Sequence, residues 1–367
     1  MRVSFFVNDA AFFISHRLAL AEALKKKNFS VEIISNKHNL KELDEYEITT
    51  IPIERSNISV FNNLVSLFKT LIYFRNTRSE LIHNITLKPI LFATLVSFFF
   101  PKIKIVNAVS GLGYLFTSNR NSFSKQLIFF LLKIILLRKN THFIFQNEKD
   151  LDLFKQLGLK SNFTLIKGSG VDIKKFLYTP PIEKASINIL CTSRMLKDKG
   201  IIELIEASKL LANKGKSIQL ILLGKIDLEN PAHLTEEELI NAIDIPQIKW
   251  LGYSDKIKDA LKKCHIYCLP SYREGLPKSI VEAMAIGRPI VTTTAPGCED
   301  CVIEGVNGYK VPIKDAYALA EKLEVLIDDS ALRLKMGKAS RKIFEKEFTL
   351  DKVVKKHMEI YNYMLRI

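Results

Sequence analysis

Short apolar runs alternate with helical periodicity along the first half of the chain. Arg2 to Val7 (RVSFFV) predicts a buried strand, and Phe29 to Ser35 (FSVEIIS) predicts a second one. Between them, Ser15 to Lys27 has apolar residues at helical spacing and ends in three lysines, which suit a helix C-terminus. A strand, a helix and a strand form a βαβ unit, which implies a parallel sheet. Further short strands are predicted at Leu81 to Ile85, Ile103 to Ala108, Thr141 to Gln146 and Phe163 to Ile166.

A second series of the same kind begins at Ser186. Gly200 to Lys214 predicts a helix inside it. The strands predicted around that helix are Asn188 to Thr192, Gln219 to Gly224, Ile248 to Gly252, His265 to Pro270 and Pro289 to Thr293. Two successive series of this kind predict an α/β protein with two doubly wound, Rossmann-like domains that face each other across a cleft. Ligands are expected in that cleft, outside the carboxyl ends of the strands.

Turn-forming residues mark the boundary between the two series. Gly168 to Asp172 (GSGVD) is followed by Thr179-Pro180-Pro181, and both stretches favour turns. We therefore assign residues 1–175 to an N-terminal domain and residues 176–349 to a C-terminal domain. Residues 350–367 predict an amphipathic helix that is able to cross back to the N-terminal domain.

Composition places the chain among ordinary globular proteins. Its 367 residues are enough for two domains, and 47% hydrophobic with 25% charged residues excludes a disordered chain. Five cysteines predict no disulfide framework and are typical of a reducing cytoplasm. No secretory signal is predicted at the N-terminus. No membrane-spanning segment is predicted either, because the longest uncharged apolar stretch, Pro89 to Pro101, is shorter than a spanning helix, which needs about 20 residues.

The net charge of +15 is unevenly distributed, since residues 1–175 carry +12 of it. Two basic amphipathic segments lie in this half, Leu64 to Arg78 and Ser124 to Asn140, and they favour the surface of an anionic membrane. Buried helices whose basic ends reach solvent are the alternative. Neither zinc-finger spacing, nor an RNP-like strand, nor a polybasic arm accompanies the charge, so no nucleic-acid partner is expected.

The strongest candidate for chemistry is His265 to Arg288 (HIYCLPSYREGLPKSIVEAMAIGR). A strand ends at Pro270, and a helix begins near Pro277, where the missing N–H of proline costs nothing. Gly275, in the loop between them, lets a ligand approach the backbone closely. A helix that begins directly after such a loop predicts an anion site, built by its first backbone N–H groups and its dipole.

Two carboxylates flank this anion site. Glu274 precedes the helix and Glu282 lies on its second turn, while the N–H groups of Leu276 and Lys278 face the anion. A carboxylate accepts two hydrogen bonds from a vicinal diol, and charge-assisted bonds contribute about 1.5–3 kcal/mol each. The pair therefore suits a nucleotide sugar, with one glutamate on the ribose and the other on the sugar ring. The alternative is an N-terminal charge and an ordinary glutamate on a helix surface.

A second candidate phosphate site is Cys191 to Gly200 (CTSRMLKDKG). It follows the first strand of the second domain and opens a helix, which is the usual place for a phosphate. Arg194 and Lys199 could neutralise a diphosphate, the arginine as a fork and the lysine as a point charge. No glycine-rich fingerprint is present, so a solvated basic turn remains the alternative.

These motifs together resemble those of the retaining glycosyltransferase family four, which has the GT-B fold. Glu274 and Glu282 in EGLPKSIVE resemble its E-x7-E signature, and Arg194 with Lys199 resembles its G-R-x4-K-G phosphate motif, with Ser193 in place of the usual glycine. Gly168 to Asp172 resembles its N-G-V-D motif. Similar motifs follow the family's order at Leu222 to Gly224 (LLG), Trp250 to Gly252 (WLG) and Gly305 to Gly308 (GVNG).

The resemblance implies roles for individual residues. Arg194 and Lys199 would bind the donor diphosphate, Glu282 the ribose hydroxyls, and Glu274 the transferred sugar. The remaining donor contacts it implies are Gly275, Leu276, Pro277 and Lys278 for the phosphate and sugar, and Leu251 to Tyr253 for the base.

The N-terminal half resembles bacterial members that act on polyprenyl-diphosphate-linked sugars, through Ser15-His16-Arg17 and Asn107 to Phe116 (NAVSGLGYLF). The acceptor contacts that this implies are His16, Arg17, Ser110 and Gly111. The first loop of that family is usually glycine-rich, whereas Asn8 to Ala11 has no glycine. Many members have an acid or a histidine near the position of Ser110, so His16, His83 or the backbone is expected to supply that polar contact.

The activity implied is a retaining, α-forming transfer of a hexose or N-acetylhexosamine from a nucleotide sugar, with UDP as the expected carrier. The acceptor would be a polyprenyl-diphosphate-linked glycan in O-antigen, capsule or N-glycan precursor synthesis. Such an enzyme would need neither metal nor cofactor and would sit peripherally on the cytoplasmic face of the inner membrane. The alternatives are a nucleotide-sugar epimerase or a sugar phosphorylase of the same fold, or a membrane-docking scaffold without turnover.

Two patterns that resemble metal sites are expected to be structural. Asp150-Leu151-Asp152 spells D-x-D, the metal motif of a different glycosyltransferase fold, but it opens a predicted helix capped by Asn147, where acids are favoured. Cys298 and Cys301 have no second ligand pair near them in sequence, which argues against zinc.

Overall fold

The computed structural model describes residues 1–36, 40–53, 59–112, 123–181 and 185–366. The chain forms two compact units. Unit 1 comprises Met1–Ser169 together with Asp351–Ile367, and unit 2 comprises Gly170–Leu350. The chain therefore leaves unit 1 once, completes unit 2 and returns to unit 1.

Unit 1 is built on a seven-stranded sheet with the order β3-β2-β1-β4-β5-β6-β7, and every pairing in it is parallel. Its strands are β1 (Arg2–Val7), β2 (Ser30–Ser35), β3 (Glu47–Thr50), β4 (Leu81–Ile85), β5 (Lys104–Val109), β6 (Thr141–Phe145) and β7 (Phe163–Leu165). Its helices are α1 (Ala10–His16), α2 (Leu18–Lys26), α3 (Val60–Asn76), α4 (Leu87–Ser97), α5 (Phe123–Ile135), α6 (Glu148–Gln156) and α13 (Leu350–Leu365), which begins at the last residue of unit 2.

The helices of unit 1 cover both faces of its sheet. Phe6 is in register with Asn84, Asn107 and Phe143, so these side chains share one face, and α3, α4 and α5 pack against it. Phe5 lies on the other face, where α1, α2 and α13 complete an apolar core. Tyr361, Ile360 and Met364 of α13 belong to that core. Both faces are thus closed, as a parallel sheet requires.

Unit 2 is built on a six-stranded parallel sheet with the order β10-β9-β8-β11-β12-β13. Its strands are β8 (Ile187–Thr192), β9 (Ile218–Leu223), β10 (Ile248–Trp250), β11 (Ile266–Leu269), β12 (Ile290–Thr293) and β13 (Gly308–Val311). Its helices are α7 (Ile201–Asn213), α8 (Glu236–Ala242), α9 (Ile257–Lys263), α10 (Lys278–Ile286), α11 (Ala316–Asp328) and α12 (Ser330–Glu347). The central strands are largely buried, which explains their mostly apolar sequence.

Three elements differ from the sequence-based expectation. The single helix predicted over Ser15 to Lys27 is two helices, because Arg17 leaves helical geometry at φ −133° and ψ −14° between α1 and α2. The strands β3 (EITT) and β13 (GYKV) were not predicted, since each has four residues and lies at a sheet edge with little apolar character. The other strands agree with the prediction to within about two residues.

Candidate functional site

The candidate donor residues follow neighbouring strands in unit 2. Arg194 and Lys199 lie in the loop after β8, and Glu274 lies in the loop after β11. Because β8 and β11 pair side by side, their carboxyl ends bring these loops together. Lys199 and Glu274 are 75 positions apart in the sequence, and the order of the strands in the sheet brings their side chains into contact.

Lys199 and Glu274 form an ion pair through Nζ and Oε1. Ser271 Oγ donates a hydrogen bond to the same carboxylate oxygen at 2.8 Å. The two charged side chains are only 15% and 16% exposed, so they are largely shielded from water. The backbone beside Lys199 is also fixed, because Gly200 has φ +69° and a Cβ there would lie 2.2 Å from the carbonyl oxygen of Pro270.

Arg194 pairs with Asp227, a residue that the sequence analysis did not single out. Asp227 belongs to the loop after β9, and β9 is the other neighbour of β8 in the sheet. A carboxylate that contacts a guanidinium neutralises it while no other anion is present and orients its fork. No sequence motif pointed to Asp227, because its relation to Arg194 depends on strand order alone.

The loop that holds Glu274 is clamped by the loop after β12. The Glu274 amide donates to the carbonyl oxygen of Pro296 at 2.9 Å. Gly297 has φ +79°, and a Cβ there would lie 2.6 Å from the Glu274 carbonyl oxygen and 2.5 Å from that of Gly275. Only glycine fits this position, so Gly297 is a second residue that the sequence analysis missed.

Helix α10 begins directly after this loop. Pro277 stands at its N-cap with extended φ and ψ, and no side chain there forms a cap hydrogen bond. The side chain of Leu276 packs into the unit 2 core and is therefore not available for a ligand contact. Glu282, one turn further along, lies 3.6 Å from Lys278 Nζ. Burial raises the pKa of the Glu282 carboxyl, and Lys278 counteracts part of that rise.

The candidate base-binding residues lie at the β10 edge of the same sheet. The Gly224 amide donates to the Gly252 carbonyl oxygen at 2.8 Å, and Trp250 Nε1 donates to the Gly224 carbonyl oxygen at 2.8 Å. These bonds hold the LLG motif at the end of β9 and the WLG motif at the end of β10 against each other. Tyr253 directly follows it and is 75% exposed, which leaves its ring accessible to a planar ligand.

The predicted acceptor residues of unit 1 also lie at the carboxyl ends of strands. Arg17 Nη2 donates to Ser110 Oγ at 3.4 Å, which joins the α1–α2 break to the end of β5, beside Gly111. Arg17 is almost fully buried, and this burial lowers the pKa of its guanidinium to about 10. His16 is partly exposed, stacks on Phe12 at 4.1 Å and contacts Ser15 Oγ at 2.6 Å. Residues 113–116 of the NAVSGLGYLF motif lie outside the described part of the chain.

His83, the other histidine considered for the acceptor contact, is completely buried. Its Nδ1 forms a hydrogen bond with the Tyr361 hydroxyl, and its ring stacks near that of His357. Burial lowers the pKa of His83 well below its usual range and that of His357 to about 3, so both rings are neutral. Of the two histidines, His16 is therefore the one whose position suits a ligand contact.

The two patterns that resembled metal sites have structural environments. Asp150 is buried at the start of α6, where its amide donates to Asn147 Oδ1 at 2.8 Å and Asn147 Nδ2 donates to its carboxylate at 3.1 Å. Cys298 and Cys301 are buried, and neither forms a disulfide. Within the residues that the structure describes, no three His, Cys, Asp or Glu side chains group as metal ligands would.

Two family models match the chain. "Glycosyl transferases group 1" matches residues 172–343, and "Glycosyl transferase 4-like" matches residues 2–147. The chain is therefore a glycosyltransferase of the family that these two models describe. The glycosyltransferase is 27% identical over 359 residues to the capsular polysaccharide biosynthesis glycosyltransferase CapM of Staphylococcus aureus, with 94% of this chain and 93% of the relative covered. It is 29% identical over 357 residues to the N,N'-diacetylbacillosaminyl-diphospho-undecaprenol alpha-1,3-N-acetylgalactosaminyltransferase of Campylobacter jejuni, with 92% of each chain covered.

Solved structures identify the fold of the glycosyltransferase as GT-B, which confirms the expectation from its motifs. It superposes on sucrose-phosphate synthase from Thermosynechococcus elongatus with a TM-score of 0.82 at 18% identity, covering 100% of this chain and 99% of the other. It superposes on Anabaena HepE, solved in complex with UDP and glucose, with a TM-score of 0.80 at 17% identity and coverages of 99% and 100%.

Proposed function

We propose that this glycosyltransferase transfers a hexose or N-acetylhexosamine from a UDP-sugar to a polyprenyl-diphosphate-linked glycan, with retention of the α configuration and without a metal ion. The observation that carries the proposal is the convergence of Arg194, Lys199 and Glu274 at one end of the unit 2 sheet. Two cations and a carboxylate in that position suit the diphosphate and the sugar of a single donor.

The chemistry follows from where the negative charge develops. When the bond between the sugar C1 and the diphosphate oxygen breaks, its electron pair goes to the leaving diphosphate. Arg194 and Lys199 stabilise that charge, and the N-terminus of α10 adds its dipole. The acceptor hydroxyl forms the new bond to C1 on the same face of the sugar, and its proton passes to an oxygen of the departing phosphate. Glu274 orients the sugar, and Glu282 orients the ribose.

The choice of acceptor is supported by relatives that align over most of the chain. The Campylobacter relative is named for transfer to a diphospho-undecaprenol-linked sugar. A relative from Escherichia coli, 22% identical over 326 residues, is named UDP-Gal:alpha-D-GlcNAc-diphosphoundecaprenol alpha-1,3-galactosyltransferase. Both names state an α-1,3 product on the same lipid carrier, and the second names a UDP donor. The CapM relative is named for capsule synthesis.

Peripheral attachment to the cytoplasmic face of the inner membrane is supported by an exposed apolar surface on unit 1. Helix α4 packs beside both α3 and α5, on one face of the sheet. Large apolar side chains are exposed on α3, on α5 and directly after α4, among them Phe61, Leu64, Phe68, Ile72, Phe99, Leu127 and Phe130. Basic residues lie among them, as in helices that rest on anionic lipid. No helix in the described ranges is long and apolar enough to cross a bilayer.

A donor and acceptor panel tests the proposal. UDP-, GDP- and dTDP-sugars are incubated with short-chain polyprenyl-diphosphate glycans in the presence of EDTA, and products are read by mass and by the anomeric proton coupling. We expect one UDP-sugar to give an α-linked, lipid-bound product. A β-linked product contradicts retention, loss of turnover in EDTA contradicts metal independence, and conversion of the donor without an acceptor indicates an epimerase instead.

A further inference from the structure

A cavity of about 700 Å³ lies between the C-terminal half of α3 and the β3 edge of the unit 1 sheet, with residues of β1, β2 and β3 on its strand side. The predicted acceptor residues lie elsewhere in unit 1, Arg17 between α1 and α2 and Ser110 directly after the carboxyl end of β5. The volume is typical of sites for small molecules. The lining residues that matter for its chemistry are Arg2, Glu47, Lys69, Ile72, Asn76 and Arg78.

Two cations of this cavity are available to an external anion. Lys69 and Arg78 are exposed, and neither forms an ion pair with any residue in the described ranges. Arg2, by contrast, is held by Glu32 at 3.1 Å and by Glu47 at 2.7 Å. The positive charge that remains is therefore that of Lys69 and Arg78, which suits a phosphate group.

Hydrogen-bond acceptors lie on the strand side of the same cavity. Glu32 is buried and already accepts bonds from Ser4 Oγ at 2.9 Å and Thr49 Oγ1 at 2.8 Å. Glu47 is 63% exposed and contacts only Arg2 among the ion pairs of the described chain. Its carboxylate can therefore accept hydrogen bonds from hydroxyl groups of a ligand whose phosphate lies near Lys69.

An apolar stripe leads out of the cavity along α3. Phe61, Leu64, Phe68 and Ile72 follow one another at spacings of three and four residues, and all four are exposed. Ile72 belongs to this stripe and also lines the cavity. A ligand with an anionic head and long apolar chains would contact charge and apolar surface together.

We propose that this cavity binds the headgroup of an anionic phospholipid whose alcohol carries free hydroxyls, with phosphatidylglycerol as the simplest case. The phosphate lies against Lys69 and Arg78, a headgroup hydroxyl donates to Glu47, and the acyl chains lie along the α3 stripe. The site rests on the proposed membrane association of unit 1. It adds recognition of one lipid headgroup to a general attraction between basic residues and an anionic surface.

The test compares two lipids of equal charge. Full-length protein is floated with phosphatidylcholine vesicles that contain either phosphatidylglycerol or phosphatidylethanol, which has the same phosphodiester but no headgroup hydroxyl. We expect wild-type protein to bind phosphatidylglycerol vesicles about tenfold more tightly, the effect of one charge-assisted hydrogen bond. The double variant Lys69→Ala/Arg78→Ala and the single variant Glu47→Ala, which removes the hydrogen-bond acceptor, are expected to bind both vesicles equally.

A matched double variant separates the cavity from diffuse charge. Arg75 and Lys133 are also exposed cations of α3 and α5, but neither lines the cavity. Arg75→Ala/Lys133→Ala should weaken binding to both vesicles and keep the tenfold ratio. A ratio of one for the wild type, or a ratio that persists in Lys69→Ala/Arg78→Ala, overturns the headgroup site and leaves the membrane proposal standing. Vesicle binding that does not depend on anionic lipid would overturn both the headgroup site and the membrane proposal. Glycosyl transfer to a water-soluble acceptor tests the enzymatic proposal separately.

Discussion

Lys199 and Glu274 form an ion pair across two adjacent strand ends, and both side chains are about 85% shielded from solvent. A pair in such surroundings is costly to break on one side only, because the remaining charge stays largely desolvated. The same shielding makes the lysine effective against a developing phosphate charge. The pair therefore connects the stability of the site with its proposed chemistry.

Removing either member of this pair should abolish most turnover. We expect Lys199→Ala to lower kcat by roughly 10²–10³-fold, because one electrostatic contact to the leaving group is lost. Glu274→Ala should have an effect of similar size through misplacement of the sugar and of Lys199. The measurement is the release of nucleoside diphosphate, with circular dichroism as the check on folding.

Lys197→Ala is the matched control for Lys199→Ala. Lys197 lies two residues away and pairs with Glu238 at 2.7 Å on an exposed surface. Its loss should change kcat less than twofold, since this pair is exposed to solvent and includes none of the candidate donor residues. Equal losses in the two lysine variants would contradict a specific role for Lys199.

Gly297→Ala should disturb catalysis more than stability. Its added Cβ would meet the carbonyl oxygens of Glu274 and Gly275, so the loop that carries Glu274 must shift. We expect kcat to fall by about 10²-fold, as misplacement by about 1 Å produces. Gly305→Ala is the control, because Gly305 also has a positive φ, +72°, but no atom lies within 4 Å of its Cβ position. That variant should cost about 1 kcal/mol of unfolding free energy and leave kcat unchanged.

Glu282→Gln should stabilise the protein at neutral pH. Because burial raises the pKa of Glu282 in the folded state, its contribution to stability is complete below the pKa of the unfolded chain and is lost as pH rises through the folded pKa. The neutral amide avoids that loss, so we expect Tm to rise by roughly 2–4 °C at pH 7 and the gain to disappear toward pH 4. Thermal unfolding between pH 4 and 8 measures this. The variant should at the same time bind UDP more weakly, and a Tm gain independent of pH would contradict the explanation.

Tyr361→Phe should destabilise unit 1. The Tyr361 hydroxyl bonds His83 Nδ1 in a fully buried setting, so its removal leaves a buried ring nitrogen without a partner. Such a loss costs about 1–3 kcal/mol, which chemical denaturation can measure. Tyr363→Phe, whose ring lies on the same helix but is 67% exposed, should change the unfolding free energy by less than about 0.5 kcal/mol. Similar values for the two variants would show that the His83 bond is unimportant.

The sequence was sufficient for the parts of this molecule that rest on local pattern. The βα alternation predicted the parallel sheets, and the spacing of Glu274, Glu282, Arg194 and Lys199 led to the glycosyltransferase family and its GT-B fold. The D-x-D pattern was correctly placed at a helix start, because Asn147 is a good N-cap.

What the sequence did not indicate depends on strand order. Asp227 and Gly297 follow β9 and β12, and they become neighbours of Arg194 and Glu274 only because those strands flank β8 and β11. The cavity of about 700 Å³ is lined by residues of β1, β2, β3 and α3, which no single motif spans. The sequence does not indicate the break at Arg17, because residues 10–27 contain neither glycine nor proline.

The return of α13 to unit 1 has a consequence for biosynthesis. Ribosomes add roughly 5–20 residues per second, so about 180 residues and roughly 10–40 s separate the emergence of Ser169 from that of Asp351. During that interval the nascent first half exposes the apolar surface that Tyr361 and Ile360 later cover. Chaperones that bind nascent chains can bind this surface during the interval. Unit 1 completes its folding only after α13 has been translated.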